Sequence, residues 1–167
     1  DPHQCRLQDL QTHAVNAGVP GAGTMELGDK DGWLDLLLTH CIEPQLGKGS
    51  LCFVYDYPAS QASLSRIRPG TPPLAERFEL YMDGIELANG FHELTSATEQ
   101  RTRFLADLEQ RRANGSREPP MDDLLLAAMD DGLPDCSGVA LGIDRLLMRL
   151  TGAVHINQVL AFPLDRA

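Results

Sequence analysis

The spacing of apolar residues predicts helices in the first part of the chain. Residues 4–17 carry a weak helical pattern that Gly18 and Pro20 interrupt. In the segment 31–42, apolar side chains recur at i, i+3 and i+4, as an amphipathic helix requires, and Pro44 ends the pattern. The opening segment is therefore predicted to contain two helices.

Aromatic and β-branched residues at 51–57 change the pattern to one typical of a strand, and their continuous apolar character predicts that the strand is buried. The segment 58–73 is predicted to be mostly loop. Two strand-like segments then flank Asp83 and Gly84, the pair that two-residue type I′ turns favour. A β-hairpin is the clearest local prediction in the chain.

Helical patterns follow the hairpin. Ser96 and Glu99 form a capping box at the start of a helix that ends near Asn114. Asp122 begins another helix, and the apolar run 124–129 predicts that this helix is well buried. In the helix that begins at Ser96, the predicted core stripe consists of Phe104, Leu105 and Leu108.

Two short strands complete the predicted order. Residues 137–141 predict a strand that leads into a helix at 143–150, and 159–162 predict a last strand that Pro163 stops. The 167 residues, 43% of them hydrophobic, can bury one core, and no break in composition demands a second domain. The chain begins at Asp1 rather than Met, so we expect further sequence upstream.

Charge and cysteine usage narrow the function classes. The formal net charge of −10 gives no overall field that attracts a polyanion, so nucleic-acid binding does not follow from charge. The four cysteines have no metal or disulfide spacing, and no apolar run approaches the roughly 20 residues of a membrane span. We therefore expect a cytoplasmic protein without membrane contact. The one basic cluster is interpreted as a solvated helix face and consists of Arg101, Arg103, Arg111, Arg112 and Arg117.

The predicted hairpin brings two carboxylates together. A two-residue turn pairs Glu79 with Ala88 and Tyr81 with Glu86, so all four side chains share one face of the hairpin. Glu79 and Glu86 are then diagonal neighbours, about 7–8 Å apart at Cβ or somewhat less. Such carboxylates repel unless a cation lies between them, and Mg²⁺ carrying nucleotide phosphates suits that position. Two glutamates on a solvent-facing strand are the alternative.

The segment 88–95 combines amide, acid and aromatic side chains with a glycine. Strict alternation would place Glu93 on the face opposite Glu86. A one-residue bulge near Asn89 and Gly90 would shift the alternation and bring Glu93 onto the face of the two acids. We predict this bulge, and an unbroken ladder there would exclude it.

The segment 138–145 reads as a glycine-bracketed strand that enters a helix. Gly142 would let a flat ligand approach the backbone, and Arg145 in the first helical turn could stack on a base or pair with phosphate. In the alternative reading, Asp144 caps the helix or pairs with Arg145.

Three of these segments in combination, 77–80, 86–95 and 138–145, resemble class II lysyl-tRNA synthetases. The last segment is similar to motif 3 of that class, which carries an ATP-binding arginine. Within the superfamily, residues 85–95, 134–142 and 58–64 look like the branch that aminoacylates elongation factor P. The likeness spans essentially the whole chain and is strongest from Leu51 onward.

The resemblance implies an α+β fold in which helices flank an antiparallel sheet, with residues 1–50 as a helical segment and 51–167 as the sheet core, including motif 3 at 138–150. It implies an ATP-dependent ligase that activates (R)-β-lysine or lysine as an adenylate and transfers it to a lysine of elongation factor P. The cofactors would be ATP and Mg²⁺. A homodimer is implied for the full-length protein, and tRNA is not the implied acceptor.

Site roles are carried over position by position from the same resemblance. It implies Glu79 and Glu86 as Mg²⁺ ligands and Glu86 with Arg145 as the catalytic pair. The implied ATP-binding residues are Glu86, Leu87, Gly142 and Arg145. The implied amino-acid-binding residues are Asn89, Phe91, Glu93 and Ala140.

Part of the family pattern has no counterpart in this sequence. No segment resembles motif 1, which forms the dimer, or motif 2, whose arginine binds the α-phosphate. We therefore predict that this polypeptide alone has no measurable adenylation activity. A fragment of a lysine–tRNA ligase, a non-catalytic synthetase-like module and a generic α+β domain are the alternatives. The presence of Glu79, Glu86, Glu93 and Arg145 counts against the non-catalytic module.

Overall fold

Two helices open the chain, as predicted. The computed structural model describes residues 1–166. Helix α1 (Leu7–Asn16) packs against α2 (Lys30–Leu37), which begins where the Asp29 side chain accepts a hydrogen bond from the Gly32 backbone at 2.9 Å. Their shared core includes Leu10, Ala14, Val19, Ala22 and Trp33. The chain then passes through a π turn (Leu38–Ile42) and a 3-10 turn (Glu43–Gln45) to the sheet.

An antiparallel sheet forms the centre of the fold and confirms the predicted α+β class. The spatial order is β1-β3-β4-β5, with β2 paired to β3. Asp83 and Gly84 join β3 to β4 with positive φ angles of 48° and 74°, as a type I′ turn requires, so the predicted hairpin is confirmed. The strands are β1 (Leu51–Pro58), β2 (Ile67–Arg68), β3 (Leu74–Met82), β4 (Ile85–His92) and β5 (Ser137–Leu141).

Three helices flank the sheet in the second part of the chain. The Ser96 hydroxyl accepts a hydrogen bond from the Glu99 backbone at 3.2 Å, and the Asp122 carboxylate accepts one from Leu125 at 2.9 Å, so both predicted helix starts are confirmed. Of the predicted capping box only the Ser96 half forms, because the Glu99 carboxylate pairs with Arg103. The helices are α3 (Ala97–Ala113), α4 (Asp123–Gly132) and α5 (Ile143–Thr151). Within the described residues, every helix is too short or too polar to cross a bilayer.

The prediction that the first strand is buried is wrong. Leu51, Phe53 and Tyr55 are 59%, 55% and 69% exposed. Strand β1 lies at the edge of the sheet, and no element among residues 1–166 covers the face that carries these side chains. A short apolar run does not distinguish a strand covered on both faces from an edge strand covered on one.

Burial in the later helices also differs from prediction. In α3, Leu105 is exposed, Phe104 and Leu108 are only half-buried, and Gln100 is buried instead. In α4, Leu126 is fully buried while Leu124 is 86% exposed, so this helix is amphipathic rather than well buried. A helix that lies on a surface buries only one stripe of its circumference.

The predicted strand at 159–162 is wrong. The chain there follows a 3-10 turn (Ile156–Gln158) and continues through bends, and it pairs with none of the strands in the described part of the chain. Phe162 is exposed. An apolar run becomes a strand only where a neighbouring backbone offers hydrogen bonds, and no backbone among residues 1–166 does so here.

Candidate active site

A bulge in the hairpin decides which side chains share a face. Tyr81 lies opposite Glu86, but Leu80 lies opposite Ala88, so Leu87 is an extra residue in β4. The ladder is unbroken through Asn89 and Gly90, so the bulge predicted there is wrong; the bulge at Leu87 produces the expected shift in side-chain alternation instead. The pairing of Glu79 with Ala88 is therefore wrong, because Glu79 lies opposite Asn89. The buried Leu87 turns its carbonyl to accept a hydrogen bond from Gly142 at 2.8 Å, which explains the position of the bulge.

The bulge gathers the predicted acids and amide on one face of the sheet, which we call the acidic face. Register places Asn89 between Glu79 on β3 and Ala140 on β5, and Phe91 lies opposite Gly138. Glu93 continues this alternation, and its carboxylate lies directly over Gly138. The acidic face thus carries Glu79, Glu86, Asn89, Phe91, Glu93 and Ala140. Their roles in binding stay predictions.

Arg145 connects the last helix to the hairpin. It lies in the first turn of α5, and its guanidinium Nη1 donates to the Glu86 backbone carbonyl at 2.9 Å and to Glu86 Oε2 at 3.3 Å. The alternative pairing with Asp144 is absent from the contacts of the described residues. The structure therefore brings Arg145 to the acidic face. Gly142 lies beside it, and a Cβ added there would be 3.5 Å from both the Arg145 stem and the Leu87 carbonyl.

Glu79 is the most enclosed acid of the site. It is only 6% exposed, and its carboxylate accepts hydrogen bonds from the Arg77 guanidinium and from the Tyr81 hydroxyl, the latter at 2.5 Å. Arg77 also lies over the Tyr57 ring, 4.4 Å from its centroid. A buried carboxylate is tolerated only when it is paired in this way. Burial, reinforced by the hydrogen bond to Glu79, raises the pKa of Tyr81, so the phenol remains a donor.

Glu43 belongs to the same region and was missed by sequence reasoning. It sits in the 3-10 turn before the sheet, where its Oε1 accepts a hydrogen bond from the Tyr81 hydroxyl at 3.4 Å. Burial raises the pKa of Glu43, and the negative charges of Glu79 and Glu86 raise it further against the opposing hydrogen bond from Tyr81. No local pattern identifies such a residue, because only the tertiary packing brings the turn to the hairpin.

Three buried polar atoms on the acidic face have no hydrogen-bond partner within the described residues, namely Tyr57 Oη, Arg77 Nε and the Asn89 side-chain oxygen. The Asn89 side-chain oxygen is buried and accepts no hydrogen bond from any part of residues 1–166. Leaving a buried acceptor unpaired is costly, so such an atom is expected to find a partner in a ligand or water. Glu93 lies four residues further along the chain, just after β4, on the same face and with Phe91 between them. The pair therefore offers two acceptors to a cationic ligand.

The basic cluster on α3 does not form a free positive patch. Arg111 pairs with Asp107 at 2.7 Å, Arg112 with Glu118 at 2.7 Å, and Arg101 with Asp123 at 3.6 Å. Arg103 pairs with Glu99 and also donates to the backbone carbonyls of Ser63 and Ser65. For these four arginines the contacts support the interpretation of a solvated helix face; Arg117 lies in the exposed loop after α3.

Comparison with known families agrees with this geometry. The family model described as "tRNA synthetases class II (D, K and N)" matches residues 37–166, which include the whole sheet and helix α5. The chain belongs to this class II synthetase family.

Three individual relatives match most or all of this chain. The chain is 48% identical over 166 residues to a protein of Vibrio cholerae serotype O1 and 53% identical over 167 residues to one of Salmonella arizonae, and each alignment covers 51% of the relative. A protein of Klebsiella pneumoniae is 55% identical over 139 residues, or 83% of this chain and 43% of the relative. All three are named elongation factor P–(R)-β-lysine ligase. The chain spans about half the length of these curated relatives.

Proposed function

We propose that this chain is the C-terminal part of a class II synthetase-like catalytic domain in an ATP-dependent ligase. The ligase activates (R)-β-lysine, or lysine, as an adenylate and transfers it to a lysine of elongation factor P. Residues 1–50 form the helical segment of this part, and 51–167 contain the sheet core with motif 3. The observation that carries the proposal is the contact of Arg145 with Glu86 on the face that also holds Glu79, Asn89 and Glu93.

The amino-acid pocket is proposed to lie along β4 and β5. Glu93 offers a carboxylate and Asn89 an unpaired buried oxygen, both of which suit ammonium groups. A lysine-type substrate carries two amines, so two separate acceptors match its chemistry. Phe91 and Ala140 flank these acceptors in the sheet register and would shape the pocket around the aliphatic chain.

The nucleotide is proposed to bind beside the start of α5. Arg145 uses only Nη1 for its contacts with Glu86, so the rest of its fork of donors is available to phosphate. The Leu87–Gly142 backbone hydrogen bond holds β4 against the helix start and so fixes the guanidinium relative to the sheet. Leu87 and Gly142 therefore enter the ATP site through their backbone.

Mg²⁺ is proposed to accompany ATP rather than to occupy a complete protein site. No three His, Cys, Asp or Glu side chains among the described residues form a metal-binding group, so phosphate oxygens must supply the remaining ligands. Glu86 fits because its side chain is accessible and, among the described residues, pairs with Arg145 alone. Glu79 keeps free lone pairs beyond its bonds with Arg77 and Tyr81. The metal, when bound, neutralises phosphate charge.

The reaction proposed for the parent protein has two steps. The substrate carboxylate attacks the α-phosphorus of ATP, forming the acyl adenylate and releasing pyrophosphate. The amine of a lysine of elongation factor P then attacks the acyl carbon, forming an amide and releasing AMP. Neither step needs a protein nucleophile, so the residues of this chain act by orienting the amino acid and balancing charge, with Arg145 at the phosphates and Glu93 at the amine.

The intact gene product is further proposed to be a cytoplasmic homodimer that uses elongation factor P, not tRNA, as acceptor. The names of the relatives support the choice of acceptor. All four cysteines are free thiols, which suits a reducing compartment. The competing candidate is a lysine–tRNA ligase, because the matched family model also covers lysine-specific synthetases.

The test uses the purified intact gene product that contains these 167 residues. We expect pyrophosphate release that depends on ATP and (R)-β-lysine, followed by a mass increase of elongation factor P equal to one acyl group. Transfer to tRNA instead would favour the lysine–tRNA ligase. Absence of both adenylation and transfer would contradict the proposal.

A further inference from the structure

A line of alternating charges crosses one end of the sheet on the side opposite the acidic face. At its centre is His92, the last residue of β4. Its Nδ1 lies 2.8 Å from Glu76 Oε2 on β3, and its Nε2 lies 2.6 Å from Asp135 Oδ1 in the segment before β5. We call these three side chains the His92 clamp.

Two basic side chains contact the acids of the clamp, and Arg66 Nη1 also lies 3.1 Å from His92 Nε2. Arg66 Nη1 donates to Asp135 Oδ1 at 2.9 Å, and Arg68 Nη1 lies 3.8 Å from Glu76 Oε1. Arg68 also pairs with Asp56 of β1 at 2.8 Å. The clamp thus joins β3, β4 and the approach to β5 within one network that reaches β1 and β2.

Glu93, directly after His92, is held through its backbone by the same segments. Its N–H donates to the Cys136 carbonyl at 3.0 Å, next to Asp135, and it forms a β-bridge with Ser65, next to Arg66. The Arg66 N–H donates to the His92 carbonyl at 2.8 Å. Because successive strand residues point to opposite faces, the clamp lies behind the sheet while the Glu93 carboxylate lies in front of it.

We propose that His92 is a positioning residue for the amino-acid site: by bridging Glu76 and Asp135 it fixes the Cys136–Glu93 hydrogen bond and thereby the direction of the Glu93 carboxylate. The inference rests on the proposed function, in which Glu93 receives a substrate amine. His92 does not touch the substrate and acts only through the backbone.

Histidine suits this position because its protonated ring presents a donor to an acid on each side. The hydrogen bond to Asp135 is the largest influence and raises the pKa of His92, against partial burial and the Arg66 charge. The hydrogen bond from His92 in turn lowers the pKa of Asp135. The His92–Asp135 hydrogen bond is therefore complete at pH values between the ordinary 3.8 of Asp135 and 6.5 of His92. It opens as pH rises through the raised pKa of His92 or falls through the lowered pKa of Asp135.

The clamp is too exposed to act mainly on global stability. The Asp135 side chain is 72% exposed and that of His92 is 32% exposed, and ion pairs in such positions contribute little to the free energy of unfolding. Its effect is therefore local: a displaced Cys136 carbonyl would turn Glu93 without unfolding the sheet. This separates a positioning role from a structural one.

The first arm of the test uses the 167-residue chain. We expect the NMR titration of the His92 ring to have its midpoint above that of free histidine and to shift to lower pH in Asp135→Asn. Exchange of the Glu93 amide hydrogen, corrected for intrinsic exchange, should become several-fold faster above this midpoint and in His92→Gln. The control His13→Gln, at an exposed position of α1, should change neither. Unchanged Glu93 exchange in both clamp variants would overturn the proposal.

The second arm measures adenylation by the intact gene product with the amino acid as varied substrate. In His92→Gln we expect the KM for the amino acid to rise roughly tenfold, with kcat and the KM for ATP nearly unchanged. The wild-type KM should rise with pH through the His92 titration, and Asp135→Asn should shift that rise to lower pH. If the wild type is active but its KM for the amino acid is insensitive to both substitutions, the positioning role of His92 is overturned and the proposed function is not. Absence of adenylation in the wild type would overturn the proposed function with it.

Discussion

The two faces of the central sheet differ in how completely the described chain uses them. On the acidic face, Glu79 is buried and doubly hydrogen-bonded, and Arg145 reaches Glu86 from another element. The opposite face, which we call the apolar face, carries exposed apolar side chains over its two edge strands, namely Leu51, Phe53, Tyr55, Val139 and Leu141. The polar arrangement is specified by individual contacts, whereas these exposed apolar side chains offer area with few specific contacts among residues 1–166. Substitutions on the acidic face should therefore change chemistry, whereas those of the exposed apolar side chains on the opposite face, away from the His92 clamp, should change stability or nothing.

The largest expected effect is the loss of Arg145. We expect Arg145→Ala in the intact gene product to lower kcat for adenylation by about 10²–10³-fold, because a preorganised charge at the phosphates would be lost. Arg145→Lys should not restore the rate, since one ammonium cannot reproduce the planar fork. Pyrophosphate exchange is the measurement, and Arg111→Ala on α3 is the matched control. A rate within threefold of wild type for Arg145→Ala would remove this arginine from the mechanism.

Neutralising Glu93 should have the next largest effect. Glu93→Gln keeps the shape but removes the charge that meets a substrate amine, so we expect the KM for the amino acid to rise by about 10–100-fold. The KM for ATP should stay close to its wild-type value because the nucleotide lies beside Arg145. Equal changes in both constants would show that Glu93 supports the site as a whole and not the amine in particular.

Two glycines in neighbouring strands provide a direct comparison of the faces. A Cβ added at Gly138 would overlap the Glu93 carboxylate, whereas one at Gly90 would lie 2.5 Å from the Phe78 ring on the apolar face. We expect Gly138→Ala to raise the KM for the amino acid roughly tenfold with little change in stability, because a flexible side-chain end can move away. Gly90→Ala should lower the free energy of unfolding by about 1–3 kcal/mol, because the ring must be displaced from the sheet.

Activity assays and urea unfolding of both glycine variants check this contrast. The reverse result, a destabilised Gly138→Ala with normal substrate binding, would show that the two faces have been assigned the wrong way round.

The smallest effect is expected on the exposed part of the apolar face. Phe53 is 55% exposed and makes one edge-on aromatic contact with Phe78 at 5.7 Å between centroids. We expect Phe53→Ser to lower the free energy of unfolding of the 167-residue chain by about 1 kcal/mol or less. Urea unfolding gives this number. A loss of several kcal/mol would mean that the apolar face is covered in solution.

Sequence reasoning succeeded where a few adjacent residues carry the information. The Asp83–Gly84 turn and the caps at Ser96 and Asp122 were predicted because turn and cap chemistry are local. The change in side-chain alternation that places Glu93 on the same face as Glu86 was also predicted, but the position of the bulge that causes it was not. The bulge sits at Leu87 because that carbonyl bonds Gly142, more than fifty residues away in the chain.

Burial and remote partners could not be predicted in the same way. The apolar sequence of β1 is the same whether the strand is covered on one face or on both. The apolar sequence at 159–162 does not reveal that the described chain has no strand beside it to pair with. Glu43 joins the acids only because a turn packs against the hairpin through Tyr81. These features depend on contacts between distant elements, and the hydrophobic period of a local segment carries no information about such contacts.

The most direct test of the central claim is a crystal structure of the intact gene product with Mg²⁺, a non-hydrolysable ATP analogue and (R)-β-lysine. We predict that an amine of the amino acid lies within hydrogen-bond distance of Glu93 or Asn89, and that a phosphate oxygen contacts Arg145. Binding of the nucleotide away from the start of α5, or of the amino acid away from the acidic face, would contradict the account.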